Sequence, residues 1–565
     1  MNRRKVLAGL LPAGISTAAF ASMKPQTVRP DPASAASFAV RDVRLFGAHG
    51  DGATKDTAAI QRAVDEAERS GGGVVYVSPG TYIVGTIVLK SDVTLHLEAG
   101  ATLLGSPDES DYVMPKEAAL AAKNDQARHL LFAFNAENIA LVGLGRIDGG
   151  SLRFLQPLKK PLPAKQDEWH VTTGALWGRK LHVSPMVEFA QCTNVRIQNV
   201  TLQNSLGWTL RPIGCRSVVI QGIRIRNPDY SPNADGIDPT SCENVMISDC
   251  DVDTGDDAIC IKSNNVYGDQ KIARNIVVTN CVLSSACNGF KIGSEGPSGF
   301  ENITFSNSVI YSRKELQDDQ RVISAIDIVM PDGGWIEGVT ISNISVRNAR
   351  VPIFIRLQNI TGKPDARMTA SMRSILISDI QAIGAIVTSS VSGIPGYRIE
   401  DVTFRNIRIR TDEAGQEAWR TNIPPEREYA YAEGVLFGRF PAYGFYCRHV
   451  QGLTIDNVDV RSTRNDPRPA IVCDDVEDLT IAALSGTSPV TGAEMIRLNN
   501  VCNATLRSNR ASKGTGAFVS VSGSNSESIS LFANDLYLAA RSVALSAEVP
   551  PGSVRLDGAA VSSSG

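Results

Sequence analysis

Two acidic runs concentrate the residues best suited to chemistry: Asn233-Ala234-Asp235-Gly236-Ile237-Asp238 and Asp253-Thr254-Gly255-Asp256-Asp257. Carboxylates gathered this closely cannot all ionise freely. At least one must keep its proton to a higher pH than usual, which is what a general acid requires. Asp256 and Asp257 are neighbours on a strand-like stretch, where simple alternation would send one inward. The preceding Gly255 suggests a bend that turns both toward solvent. Solvated turn aspartates or a calcium site would produce the same wording, so the runs alone leave those readings open. A third stretch, Cys287-Asn288-Gly289-Phe290-Lys291-Ile292-Gly293-Ser294, adds an amide and an ammonium. The rival reading of Lys291 is an exposed, salt-bridged lysine.

These runs sit inside a repeat, which must position them. Asn194-Val195-Arg196-Ile197-Gln198-Asn199-Val200 returns as Ser217 to Ile223 and as Asn244 to Cys250. Its central apolar slot continues through Val278, Phe305, Ile341, Ile377, Phe404, Ile455, Ile481, Leu506 and Leu531, at a basic step of roughly 25 residues that signals a solenoid. The long step from Phe404 to Ile455 hides either an unmarked turn or a large insertion. Period-two alternation within each phrase makes the unit a short strand. Two residues past the slot stand Asn199, Gly222, Asp249, Asn280, Asn307, Asn343, Asp379, Asn406 and Asn457. These types tolerate the left-handed backbone of a sharp bend, and stacked amides can bond up a column. The fold class that follows is all-β, a right-handed parallel β-helix; a leucine-rich horseshoe lacks its signature here. Asp235 and Asp257 are then close to one turn apart and reach adjacent levels.

Residues 56–69 place Ala59, Ile60, Ala63, Val64 and Ala67 on one helical face, which predicts an N-terminal capping helix over the first strands. Met1-Asn2-Arg3-Arg4-Lys5 followed by an apolar run to Ala21 reads as an export signal over 1–21, twin-arginine-like, with an ordinary secretory leader as the alternative. The expected location is periplasmic or secreted. A linker is expected over 22–40, the β-helix over 41–540 and a frayed tail over 541–565. With 56 basic against 59 acidic residues, the chain shows no basic footprint for nucleic acid. No apolar stretch suits a membrane anchor in the mature form, and the expected state is a monomer. The ten cysteines lack zinc-like spacing, so buried thiols are expected, not bridges or metal ligands.

The wording Asn233-Ala234-Asp235, then Gly255-Asp256-Asp257, then Asn288-Gly289 with a trailing Ile292-Gly293-Ser294 resembles glycoside hydrolase family 28, the pectin-cleaving polygalacturonases and relatives. The likeness covers roughly 40–480, including Gly50-Asp51-Gly52 and Pro79-Gly80-Thr81-Tyr82. It implies an inverting hydrolase without cofactor or metal, with Asp256 as general acid and Asp235 and Asp257 activating water. Two departures stand out. Asn288 replaces the family histidine, and the Arg-x-Lys that grips a galacturonate carboxylate falls on Ala325-Ile326-Asp327. Asp327, if it faced the groove, would repel that carboxylate. A neutral or deoxy sugar is therefore expected beside the scissile bond. Asn233, Asn288, Lys291 and Arg356 are the candidate substrate contacts, joined by Tyr443 and His449 from an aromatic insertion over about 412–450. The expected partner is an oligo- or polysaccharide. A polysaccharide lyase and a non-catalytic carbohydrate-binding β-helix are the competing functions.

Overall fold

The repeat's slot residues form one continuous column. Ile197 pairs with Ile220, Ile220 with Ile247, and the pairing runs unbroken through Phe305, Ile341, Phe404 and Ile455 to Leu531, always in parallel register. The computed structural model describes residues 40–117, 127–159, 166–167, 170–171, 176–313, 321–331, 333–359, 370–487 and 492–561. The leader over 1–21 and the linker over 22–39 lie outside the described residues. From Val40 onward the chain winds as a right-handed parallel β-helix with three sheets per turn. The first sheet carries the slot column, as in Thr193–Gln198 and Glu243–Ser248. The second carries strands such as Asp251–Thr254 and Val282–Ser285. The third carries Leu210–Ile213, Ile259–Ile261, Phe290–Ile292 and Ser324–Met330. Column residues such as Ile197, Ile220 and Ile341 are fully buried, each removing apolar surface worth about 1.5–3 kcal/mol.

The bends between first and second sheets have the predicted cause. Asn199, Gly222, Asp249, Asn280, Asn307, Asn343, Asp379, Asn406 and Asn457 all hold positive φ, between 51° and 65°. Their amides bond along the axis, Asn343 to Asn307 at 2.8 Å and Asn457 to Asn406 at 2.8 Å. A second such ladder, which the phrase contained unread, enters the first sheet through Asp92, Asn138 and Asn194, each bonded to the next at 2.8 Å.

The helix Thr57–Arg69 buries the five residues of its predicted face against the first turns. Phe404 pairs directly with Ile455, so the long step is an insertion and not a hidden turn. It runs over 412–444. The expected end at 450 is corrected because Phe445–Ser462 is a single strand, its opening residues paired with Ser389–Ser392 of the third sheet. The tail is corrected too: Arg541–Leu545 and Val554–Leu556 pair with earlier turns and continue the solenoid where fraying was expected. All ten cysteines are free thiols, nine of them buried. Among the described residues no helix is long and apolar enough to cross a membrane.

Candidate active site

The acidic runs meet because the chain turns from the second sheet into the third at the same place on successive levels. Two glycines permit the tight packing there. A Cβ on Gly255 would lie 2.5 Å from the carbonyl oxygens of Pro228 and Ser231, and one on Gly236 would lie 2.3 Å from that of Ala258. Asp256 and Asp257 therefore leave the strand at a bend, and both line a cavity of about 270 Å³. Asn233, Asp235 and Lys291 line it as well. Trp208, Lys262, Ser294, Glu295 and Tyr431 complete the wall; Ser294 belongs to the Ile292-Gly293-Ser294 motif and Tyr431 to the aromatic insertion, but none of the five was named as a site residue from the sequence.

Two buried lysines organise the carboxylates. Lys291 Nζ lies 3.0 Å from Asp257 Oδ2 and donates to Tyr431 Oη at 3.2 Å. Lys262 Nζ lies 2.9 Å from Glu295 Oε2 and 3.6 Å from Asp235 Oδ2, over the Trp208 ring at 4.7 Å. Lys291 is thus neither exposed nor a bland surface partner.

The electrostatics divide the carboxylates. Burial pushes the Asp257 carboxyl up, but Lys291, Lys262 and the hydrogen bonds from Lys291 and Asn288 outweigh it and hold the group at about 2. Burial, with Asp238 and Asp256 nearby, raises Asp235 well above the usual carboxylate range against the pull of Lys262. Fully buried Asp238, next to this group, is pushed up to about 8 by burial. One carboxylate stays ionised beside one that keeps its proton, which is the division acid–base chemistry needs.

Several predicted contacts do not reach the cavity. Asn288 is fully buried and serves Asp257: Nδ2 donates to Asp257 Oδ1 at 2.8 Å while Oδ1 accepts from the Ser324 amide at 3.0 Å. Its reading as a substrate contact is corrected to a positioning role. Tyr443 packs in the core, its hydroxyl donating to the Thr487 carbonyl. His449 occupies a left-handed corner between Asp475, at 2.6 Å, and Glu426, at 3.2 Å. Arg356 is buried and donates to the carbonyls of Gly393 and Glu426. Gln358 donates to the carbonyls of Arg427, at 2.8 Å, and Ala430, at 2.6 Å. Arg448 bonds the Pro424 carbonyl at 3.1 Å. Together these side chains strap the segment 424–431 onto the solenoid, and Tyr431 at its end forms a cavity wall. Asp327, which could have faced the groove, is buried one turn from Lys291 in the same column, and burial lifts its carboxyl to about 7. Ala325 is a core residue.

Asp256, Asp257 and Cys287 offer ligand atoms within 4.8 Å of one another, the one group of metal-ligand geometry among the described residues. The Lys291 ammonium already neutralises Asp257, so this set is a poor fit for a cation.

The family described as glycosyl hydrolases family 28 matches residues 83–427, and one described as rhamnogalacturonase A/epimerase, pectate lyase-like, matches 40–113. Among curated relatives, a probable polygalacturonase of Vitis vinifera is 26% identical over 64% of this chain and 73% of its own. An exo-poly-alpha-D-galacturonosidase of Dickeya chrysanthemi is 27% identical over 65% of each. Among solved structures, an exopolygalacturonase of Thermotoga maritima superposes with a TM-score of 0.55 at 22% identity, over 75% of this chain and 91% of that one.

Proposed function

The chain belongs to glycosyl hydrolases family 28, and we propose that this O-glycosyl hydrolase cleaves pectic polysaccharide or its oligosaccharides with inversion at the anomeric carbon. The observation that carries the reading is the cavity in which Asp235, Asp256 and Asp257 converge, with Asp257 held ionised by Lys291 beside an Asp235 that burial keeps protonated. Asp256, the most exposed of the three at 7% against 3% for the others, gives its proton to the glycosidic oxygen as the C–O bond breaks. Asp257, ionised beside Lys291, takes a proton from the water that attacks the opposite face of the sugar. Asp235, which keeps its own proton, orients that water by hydrogen bonding and is not the group that deprotonates it. After turnover Asp256 is ionised and Asp257 protonated, and exchange with solvent resets both.

The sugar beside the scissile bond is proposed to be neutral or deoxy. Both ammoniums of the cavity are already engaged, Lys291 by Asp257 and Lys262 by Glu295 and Asp235. A galacturonate carboxylate there would have to compete for them, and charge-assisted bonds of about 1.5–3 kcal/mol are at stake. The test compares kcat/KM on homogalacturonan oligomers with that on rhamnogalacturonan-derived oligomers. Preference for the latter is expected. Clear preference for homogalacturonan would show that one of the two lysines exchanges its partner for substrate.

A further inference from the structure

The outer face of the second sheet carries an arginine group that the catalytic cavity does not use. In-register pairing places Ile383 opposite Arg410 and Arg410 opposite Arg461, while Gln381, Arg408 and Asp459 form the neighbouring column. These six residues line a surface hollow of about 290 Å³. All three arginines are exposed. Arg461 Nε contacts both oxygens of Asp459 at 3.0 Å, so the single carboxylate of the hollow is taken. Arg408 donates to the Asn457 carbonyl at 3.3 Å. Arg410 has no ion-pair partner among the described residues. Three guanidiniums against one carboxylate leave an excess of two positive charges.

The fold does not ask for this arrangement. Like charges directly opposite on neighbouring strands destabilise a sheet, and the Arg410–Arg461 pair is such a contact on a face where any polar residue would serve. An anionic ligand would turn that repulsion into binding, since guanidinium grips carboxylate bidentately. The hollow is also aligned with the site. Asp253, three residues before Asp256, pairs with Ser284, and the register set by Leu283 opposite Ile310 extends that column to Tyr311, from which paired Arg347 and Ile383 lead to Arg410. Five strand steps separate Asp253 from Arg410, about 24 Å along the axis.

We propose that Arg408, Arg410 and Arg461 form an accessory subsite that holds uronate carboxylates of a polysaccharide chain while another part of the chain is cleaved. The partner class rests on the pectic substrate proposed above; the charge argument does not. Uronates excluded from the neutral position beside the scissile bond are bound here instead, at a distance only a long chain can span.

The test is binding of polygalacturonate to protein carrying Asp256→Asn, which removes turnover, with and without Arg408→Gln, Arg410→Gln and Arg461→Gln together. Calorimetry at two salt concentrations should show at least tenfold weaker binding in the triple variant and a shallower salt dependence. Neutral galactan should bind neither protein through this surface. In otherwise wild-type protein the triple change should leave kcat/KM on short oligosaccharides unaltered and raise KM on polymer. Arg410→Glu alone repeats the measurement with one side chain changed. Unchanged affinity for polygalacturonate in both variants, with the folded state verified by thermal melting, overturns the subsite. Failure of the proposed function has a different signature, the absence of hydrolysis by the unmodified protein, which the binding measurement does not depend on.

Discussion

Replacing Lys291 by Met should move the acid limb of the pH–rate profile upward. The ammonium lies 3.0 Å from Asp257 Oδ2, with both side chains almost fully buried. At an effective dielectric constant of about 20 the pair attraction is roughly 5 kcal/mol, or nearly 4 pKa units; with water-like screening it falls to about 1 unit. Burial, which pushes Asp257 up, is then opposed by Lys262 and the hydrogen bonds from the Asn288 side chain and backbone amide. The base, ionised down to about pH 2 in the unmodified protein, should lose its ionised form about 1–4 units higher in the variant. The sign is fixed: a base that protonates at higher pH loses rate as pH falls, so activity survives at neutral pH and collapses sooner on acidification. The assay is kcat/KM from about pH 1.5 to 9, which brackets the original and the shifted limb and reports groups of the free enzyme. Lys291→Arg keeps the charge and should keep the limb near its original position. A Met variant with uniformly lower rate and an unmoved limb would refute the assignment of Asp257 as a base tuned by Lys291.

Asp256→Asn and Asp257→Asn should each lower kcat by about 10²- to 10⁴-fold, the usual contribution of acid–base groups. Asp235→Asn should be the mildest of the three, because an amide can orient water much as a protonated carboxyl does; equal losses would make Asp235 a second base. Asp238, raised to about 8 in the fold from about 3.9 when unfolded, costs stability progressively as pH rises from about 4 to 8. Asp238→Asn should therefore raise Tm at pH 8 and flatten its decline between pH 5 and 8, by an amount on the order of a few kcal/mol; a lower Tm at pH 8 would contradict this. Gln358→Ala removes two anchors of the 424–431 strap and should raise KM through a misplaced Tyr431 with a smaller change in kcat. A kcat loss with unaltered KM would show that the strap acts elsewhere.

The solenoid was legible because one apolar slot and one left-handed position recur in every turn, and the columns from Ile197 to Leu531 follow from them. The phrase marks only the first sheet and the bend into the second, however. Third-sheet strands such as Phe445 to Arg448 carry no such mark, so the insertion looked longer than it is. The clustering of Asp235, Asp256 and Asp257 was legible in the sequence as an acidic run, while their reading as a site, with Asn233 and Lys291, rested on the resemblance to glycoside hydrolase family 28; all five line the cavity. Lys262 was available to the same reasoning: it shares the phase of Cys260, opposite to core Ile259 and Ile261, on the strand leaving the catalytic bend. Tyr431 was not, since it meets Lys291 across 140 residues of sequence through a strap whose anchors are backbone carbonyls. Arg356 and His449 looked like ligand groups because basic side chains in a sugar-binding context invite that reading; here they bond the strap and its neighbours.

The central claim is that water attacks the face opposite the departing sugar while Asp256 protonates the glycosidic oxygen. Proton NMR of the first product released from a rhamnogalacturonan-derived oligosaccharide, recorded before mutarotation, tests it directly. The account predicts an anomer of configuration opposite to that of the bond cleaved. Release of the parent configuration would require a covalent intermediate on one of the carboxylates, and an unsaturated, ultraviolet-absorbing product would mean elimination; either result contradicts the account.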